Sequence, residues 1–149
     1  MLTIHSGARV LFDGDSVTDC GRDRQDRHSL SGYNDKIARN AHAGVEFFNR
    51  GISGDRSKDL LARIESDLRD TKPDVVSILI GINDTWRRYD ENDPTTALAY
   101  EQNMRGILKT VRAFGAKIIL LEPFLLPTLE RFQIFREDLD FKIDAARKL

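Results

Sequence analysis

Four short apolar runs, each nearly continuous and each separated from the next by a longer amphipathic stretch, constrain this chain more than any other feature. Arg9–Phe12 is the first and ends in Asp13-Gly14; Val45–Phe48 is the second; Val75–Ile80 is the third; Ile118–Leu121 is the fourth and is closed by Glu122-Pro123. Apolar runs without polar alternation suit parallel strands covered on both faces. Between them the apolar residues recur at helical spacing. Leu60, Leu61, Ile64 and Leu68 share one face, as do Tyr100, Met104, Ile107, Leu108 and Val111, and as do Phe135, Leu139, Ile143 and Ala146. Ser31–Asn40 is a weaker helix, and Pro73 and Gly115 stand where the third and fourth strands begin. The pattern predicts an alternating β-α order and a doubly wound α/β/α fold with right-handed crossovers. A flavodoxin-like sheet of this kind is expected to place its strands in the order 2-1-3-4. The last helix runs into Leu149 with no fifth strand after it, so residues 1–149 are expected to form one domain cut short at its C-terminus.

Length and charge exclude several classes. A chain of 149 residues suits a single core. With 40% hydrophobic and 32% charged residues and a net charge of -1, it carries no basic excess to neutralise phosphates, so no nucleic-acid partner is expected. Cys20 is the only cysteine, which rules out an internal disulfide and a thiolate metal cage. Met1–Val10 lacks a basic run followed by a long apolar stretch. No signal peptide and no membrane span are expected, and a cytoplasmic location fits.

In open α/β sheets, ligands bind beyond the carboxyl ends of the strands. Three polar clusters fall there: Asp13–Asp19 after the first strand, Asn49–Asp55 after the second, and Gly81–Trp86 after the third. Acyl transfer gives each a task. Gly14 permits a tight turn that lifts Ser16 to the strand end, near a helix start with its own N–H free. A serine hydroxyl needs a base to become nucleophilic, and the tetrahedral intermediate needs donors for its oxyanion. The Gly54 N–H and the Asn83 side-chain amide would supply two donors and the Ser16 N–H a third. Taken singly, each cluster reads as a turn with a helix cap. Their joint occurrence at successive strand ends is what points to chemistry. Asp15 and Asp19 together are compatible with a magnesium site, but no phosphate-handling lysine stands beside them, and no metal or organic cofactor is expected.

Asp13–Ser16 (DGDS), Gly51–Gly54 (GISG) and Gly81–Asp84 (GIND) resemble, in order, the first three blocks of the GDSL/SGNH hydrolases. The resemblance implies Ser16 as nucleophile, Gly54 and Asn83 as oxyanion donors, and Asp15 as a supporting residue. Ser16–Arg22 (SVTDCGR), Ile80–Asp90 (IGINDTWRRYD) and the Glu122-Pro123-Phe124 turn are similar to the bacterial serine acetylxylan esterases of that superfamily. That implies removal of acetyl groups from xylo-oligosaccharide-type carbohydrate, with Trp86 either stacking on sugar or packing on the core. A lysophospholipase or arylesterase of the same superfamily is a second reading; the polar, Arg- and Asp-rich loops argue for a short acyl group. A non-catalytic binding or scaffold fragment is a third, because the family's fourth landmark, an Asp-x-x-His segment, has no counterpart here. His5, His28 and His42 are the only histidines. Of these, only His28 is expected at the catalytic end of the sheet, and a solvated loop position suits it better than a base. An open fourth strand or an exchanged last helix is expected to favour homo-oligomers.

Overall fold

The computed structural model describes residues 3–126 and 128–149; Met1, Leu2 and Pro127 lie outside them, so the leader reading of Met1–Val10 falls partly outside as well. The elements in chain order are β1 (Arg9–Gly14), α1 (Ser16–Asp19), α2 (Gly32–Arg39), β2 (Glu46–Asn49), α3 (Ser57–Thr71), β3 (Val75–Leu79), α4 (Ile82–Asp90), α5 (Ala97–Ala113), β4 (Lys117–Leu121), a 3-10 turn (Glu130–Phe132) and α6 (Phe135–Arg147). The sheet is parallel throughout and its order is β2-β1-β3-β4, the order expected. Each apolar run lies within one residue of its strand, except that β1 continues two residues further, through Asp13 and Gly14. Those two residues pair with Ile78 and Leu79 of β3, which carries the polar turn to the very end of the sheet.

All three helical stripes are buried. Leu60, Ile64 and Leu68 of α3 and Tyr100, Met104, Ile107, Leu108 and Val111 of α5 join Leu11, Phe48, Val76 and Ile78 in the main core. The Tyr100 hydroxyl, fully buried, donates to the Ile80 carbonyl at 3.0 Å, so the ring is packed without leaving its oxygen unpaired. One helix went unforeseen. Between β3 and β4 the chain makes α4 before α5, and α4 presents only a narrow apolar face: Ile82 meets Leu139 and Ile143 of α6, with Trp86 against the same cluster. Six of its nine residues are Asn, Asp, Thr or Arg, and three of those, Asn83, Asp84 and Thr85, are buried, which masks the periodicity.

The two faces of the sheet are covered unequally. Helices α3, α5 and α6 pack against one another on one side. On the other, Val10, Phe12 and Val75 form a smaller cluster with Leu30, Tyr33 and Val45. There an apolar groove of about 660 Å³ runs along Val10, Phe12, Phe47, Ile119 and Leu121. No helix among the described residues is long and apolar enough to cross a membrane.

Helix α6 hides an ion pair within its apolar stripe. Asp138 and Lys142 stand at i and i+4 and are both buried, Lys142 completely; the ammonium bonds the carboxylate, and Arg88 of α4 approaches it at 3.4 Å. Removing one partner of a buried pair strands the other charge, whereas replacing both with apolar groups does not. Lys142→Met is expected to lower the unfolding free energy by about 3 kcal/mol, and Asp138→Leu/Lys142→Met by less than the single change, both read from urea denaturation.

Candidate functional site

Three loops leave the carboxyl ends of β1, β2 and β3 and are bonded to one another. Ser16 is the first residue of α1 and is exposed to solvent. Asp15 precedes it as the helix cap, its carboxylate accepting the Val17 N–H at 3.0 Å. The second loop lies against α1 so closely that a Cβ on Gly51 would stand 2.4 Å from the Asp19 nitrogen and 2.8 Å from the Thr18 carbonyl carbon. Only glycine fits there. The contact is held by Ile52 N–H to the Gly14 carbonyl at 3.0 Å, Asn49 Nδ2 to the Thr18 carbonyl at 2.7 Å, and Ser53 Oγ to Asp19 Oδ2 at 2.7 Å. Gly54 follows at φ +92°, exposed, with its N–H bonded to nothing among the described residues.

The third loop opens α4. Asn83 is buried in the first turn of that helix, and one of its side-chain N–H groups donates to the Asp55 carbonyl at 2.9 Å. That bond orients the amide and leaves its second N–H uncommitted. Asp84, fully buried, accepts from both the Ser57 N–H at 2.8 Å and the Ser57 hydroxyl at 2.6 Å, and so joins α4 to the start of α3. Ser16, Gly54 and Asn83 thus sit on three loops that are locked in register, with Ser16 and Gly54 open to solvent.

Asp15 and Asp19 each have protein partners. Asp15 caps α1, and Asp19 takes Ser53 and Arg24; among the described residues no three His, Cys, Asp or Glu side chains gather as ligands. Trp86 is half-buried, its ring 5.3 Å from Phe132 and 5.4 Å from Phe135, and packs in an aromatic cluster between α4 and α6. The placement of His28 differs from expectation. Its Nε2 lies 3.7 Å from Glu46, which pairs with Arg9 at the amino end of the sheet. His5 lies beside Ala8 and Pro73, and His42 beside Val45. All three histidines are therefore at the amino ends of the strands, about 16 Å of β1 away from Ser16.

The sequence pattern did not single out one further side chain that the fold brings to these loops. Arg63, in mid-α3, reaches the end of β1. It bonds Asp13 at 2.8 Å, Asp55 at 2.7 Å, Asp67 at 2.6 Å and the Gly14 carbonyl at 3.0 Å. Its signal was present: four residues separate it from Asp67, and it lies beside the buried stripe of its helix.

Burial sets the electrostatics here. Desolvation pushes Asp13 up to about 7, against the pull of Arg63 and with the help of Asp67. Three carboxyls share one guanidinium, and Asp13 is the most deeply buried of them, with Oδ2 unbonded; burial raises Asp67 as well. Arg63 itself is held charged: burial opposes its charge, and Asp13, Asp55 and Asp67 outweigh that. Asp15 is raised to about 6, again by burial first, with Asp84 and Asp55 adding repulsion. Asp84 is raised by burial despite its bonds to Ser57.

Comparison with known proteins agrees with this architecture. Residues 12–148 match the model of the GDSL-like Lipase/Acylhydrolase family. An acetylxylan esterase from Geobacillus stearothermophilus is 37% identical over 139 residues, covering 84% of this chain and 64% of that protein. The chain thus spans a little under two thirds of that curated relative's length. The solved structure of an acetylxylan esterase from Geobacillus stearothermophilus superposes with a TM-score of 0.85 at 34% identity, over 99% of this chain and 73% of that one. An alpha/beta hydrolase enzyme from the metagenome of Lake Arreo, Spain, gives 0.84 at 30% identity, over 97% and 73%. Solved variants of the Geobacillus enzyme include ones described as catalytic mutants at a serine, an aspartate and a histidine.

The raised carboxyls make stability depend on pH in a stated direction. With Asp15 raised to about 6 and Asp13 to about 7, the folded chain binds protons on these carboxyls over a range, upward from the ordinary aspartate value, in which the unfolded chain has released them. Their contribution is therefore present at low pH and is lost as pH rises through that window. The urea midpoint is expected to be lower at pH 8 than at pH 5, and Asp13→Asn to flatten the difference. An unchanged slope in Asp13→Asn would remove Asp13 as its source.

Proposed function

Because the chain belongs to the GDSL-like Lipase/Acylhydrolase family, we propose that it is the nucleophile-bearing part of a serine esterase that removes acetyl groups from carbohydrate of the xylo-oligosaccharide type. The observation that carries this reading is the bonding of the segments that bear Ser16, Gly54 and Asn83 to one another at the carboxyl ends of β1, β2 and β3, through Ile52 to Gly14, Ser53 to Asp19 and Asn83 to Asp55. Ser16 Oγ attacks the acetyl carbonyl. The oxyanion is met by the Ser16 N–H, the Gly54 N–H and the uncommitted N–H of Asn83. Collapse expels the sugar hydroxyl, and water then releases acetate from the acyl-enzyme. No cofactor takes part.

The base comes from elsewhere, since the histidines lie at the amino end of the sheet. In this reading residues 1–149 are part of a longer domain whose remainder brings an aspartate and a histidine to Ser16, as the catalytic variants of the Geobacillus enzyme suggest. A short acyl group suits the site. The crevice beside Asp15, lined by Val17, Leu79, Ile82, Pro123 and Phe124, is narrow, and the surrounding loops are polar. Trp86 serves as packing for α4 in this scheme.

The test supplies a base as exogenous imidazole and follows p-nitrophenyl esters of increasing length together with acetylated xylo-oligosaccharides. Imidazole-dependent turnover of acetyl substrates is expected, falling to the solution rate in Ser16→Ala. Asn83→Ala is expected to lower kcat by roughly 10²–10³-fold with little change in KM. Turnover in Ser16→Ala equal to that of the unaltered chain would end the nucleophile assignment, and an effect of Asn83→Ala confined to KM would make Asn83 a ground-state contact.

The same reading places a second copy of the chain as partner. Ile118, Ile119, Leu120 and Leu121 are each only half-buried, because β4 pairs with β3 alone, and the apolar groove adjoins them at Ile119 and Leu121. Exposed strand edges template pairing. Sedimentation velocity at micromolar concentration should show dimers or larger species, reduced in Ile119→Lys; a monodisperse monomer would refute the association.

A further inference from the structure

Arg63 lies outside the three loops, yet its guanidinium touches two of them and is linked to the third through Asp55. Nη2 donates to the carbonyl of Gly14, two residues before Ser16, at 3.0 Å. Nε donates to the carboxylate of Asp55, the residue after Gly54, at 2.7 Å. Asp55 in turn offers its own carbonyl to Asn83 Nδ2 at 2.9 Å. Nη1 is divided between Asp13, at the end of β1, and Asp67, one turn along α3. Four of the five guanidinium N–H groups are thus engaged, and in fixed directions. The side chain is 18% exposed and the carboxylates around it range from 0% to 17%, so these bonds are shielded from competing water.

From this geometry we infer that Arg63 is a positioning residue for the proposed hydrolytic site, setting the spacing between the Ser16, Gly54 and Asn83 donors by fixing the Gly14 carbonyl and the Asp55 segment to one rigid fork. The inference rests on the reading of those three residues as nucleophile and oxyanion donors. Arg63 touches no reacting atom. It acts through Asp55: if that segment drifts, Gly54 moves away from Ser16, and the Asn83 amide loses the acceptor that orients it. Lysine cannot replace the fork, because a single ammonium cannot span the Gly14 carbonyl and the three carboxylates in their separate directions. A displacement well below 1 Å at the donors suffices, since an oxyanion hole works only when its donors are aimed at where the charge develops.

The variants Arg63→Met, Arg63→Lys and Asp55→Ala separate this role from a general loss of structure. Asp55→Ala keeps the backbone carbonyl that Asn83 uses and removes only the link to Arg63, so it serves if Arg63→Met does not fold. Imidazole-dependent p-nitrophenyl acetate turnover above the Ser16→Ala floor is expected to fall about 10²-fold in kcat for Arg63→Met, about 10-fold for Arg63→Lys and for Asp55→Ala, with KM nearly unchanged. The double change Arg63→Met/Asp55→Ala is expected to be no worse than Arg63→Met, as two links of one chain should be. Independently of turnover, the Asn83 side-chain amide and the Gly54 backbone amide are expected to shift in the ¹⁵N–¹H spectra of all three single variants. Unshifted Asn83 and Gly54 signals would overturn the inference whatever the kinetics. Shifted signals with unaltered kcat would overturn its catalytic part, as would additive effects in the double change. Equal turnover in Ser16→Ala and the unaltered chain would instead strike the hydrolytic reading itself, and the inference with it.

Discussion

The parallel pairing of β1 with β3 is the constraint from which the site follows. Its register sets Gly14 opposite Leu79, so both strands end together and the turns that follow them face the same solvent. β2 joins β1 in parallel as well, with Phe12 opposite Asn49, which brings the second loop to the same edge. In such a sheet the last carbonyls of the strands have no strand partner beyond them. Here they are met by neighbouring loops: the Phe12 carbonyl accepts from Arg50, and the Gly14 carbonyl from Ile52 and Arg63. Satisfying backbone polarity at the sheet end is therefore the same act as assembling the three loops.

That assembly concentrates buried carboxylates, and the cost is visible in their raised pKa values. Asp13, Asp15 and Asp84 are essentially inaccessible, and desolvation is the largest influence on each. Buried ionic groups of this kind contribute little net stability, and replacing one partner alone is what does damage. What they supply is direction. Asp84 fixes the first turn of α3 against the first turn of α4, Asp19 fixes Ser53, and Arg63 fixes Asp55 and Gly14. An apolar core would hold these elements together without dictating where Gly54 and Asn83 stand relative to Ser16.

The sheet and its order were legible because continuous apolar runs such as Val75–Ile80 have few other uses, and because the stripes of α3, α5 and α6 keep strict helical spacing. The three loops were legible because glycine, serine and asparagine at successive strand ends match a known order of blocks. The rest escaped for physical reasons. Helix α4 has a one-residue-wide apolar face, and Asn83 reads as a cap when it is in fact one residue inside the helix. Arg63 and Lys142 look like solvated charges; only the tertiary fold reveals that a guanidinium and an ammonium are wrapped by carboxylates from elsewhere. His28 was misplaced because a loop of 12 residues, 20–31, leaves α1 at one end of the sheet and runs back along β2 to the other. Nothing in its composition records that return.

The position of the histidines also limits how a base can reach Ser16. A general base must come within hydrogen-bond reach of the hydroxyl, and β1 alone separates the two ends of the sheet by about 16 Å. No rotamer change of His5, His28 or His42 spans that distance, and moving any of their loops across the sheet would break the β1–β2 pairing at Arg9–Glu46 or the loop bonds of Gly7 to Gly44. For the proposed hydrolysis, the approach to Ser16 that avoids these bonds is over the carboxyl ends of the strands. There Ser16 is exposed, and Pro123 and Phe124, which follow β4, line a crevice with Asp15 and Val17. Arg147 of α6 is fastened to Glu122 by two bonds, at 2.7 and 3.0 Å, so the last helix ends beside the same opening.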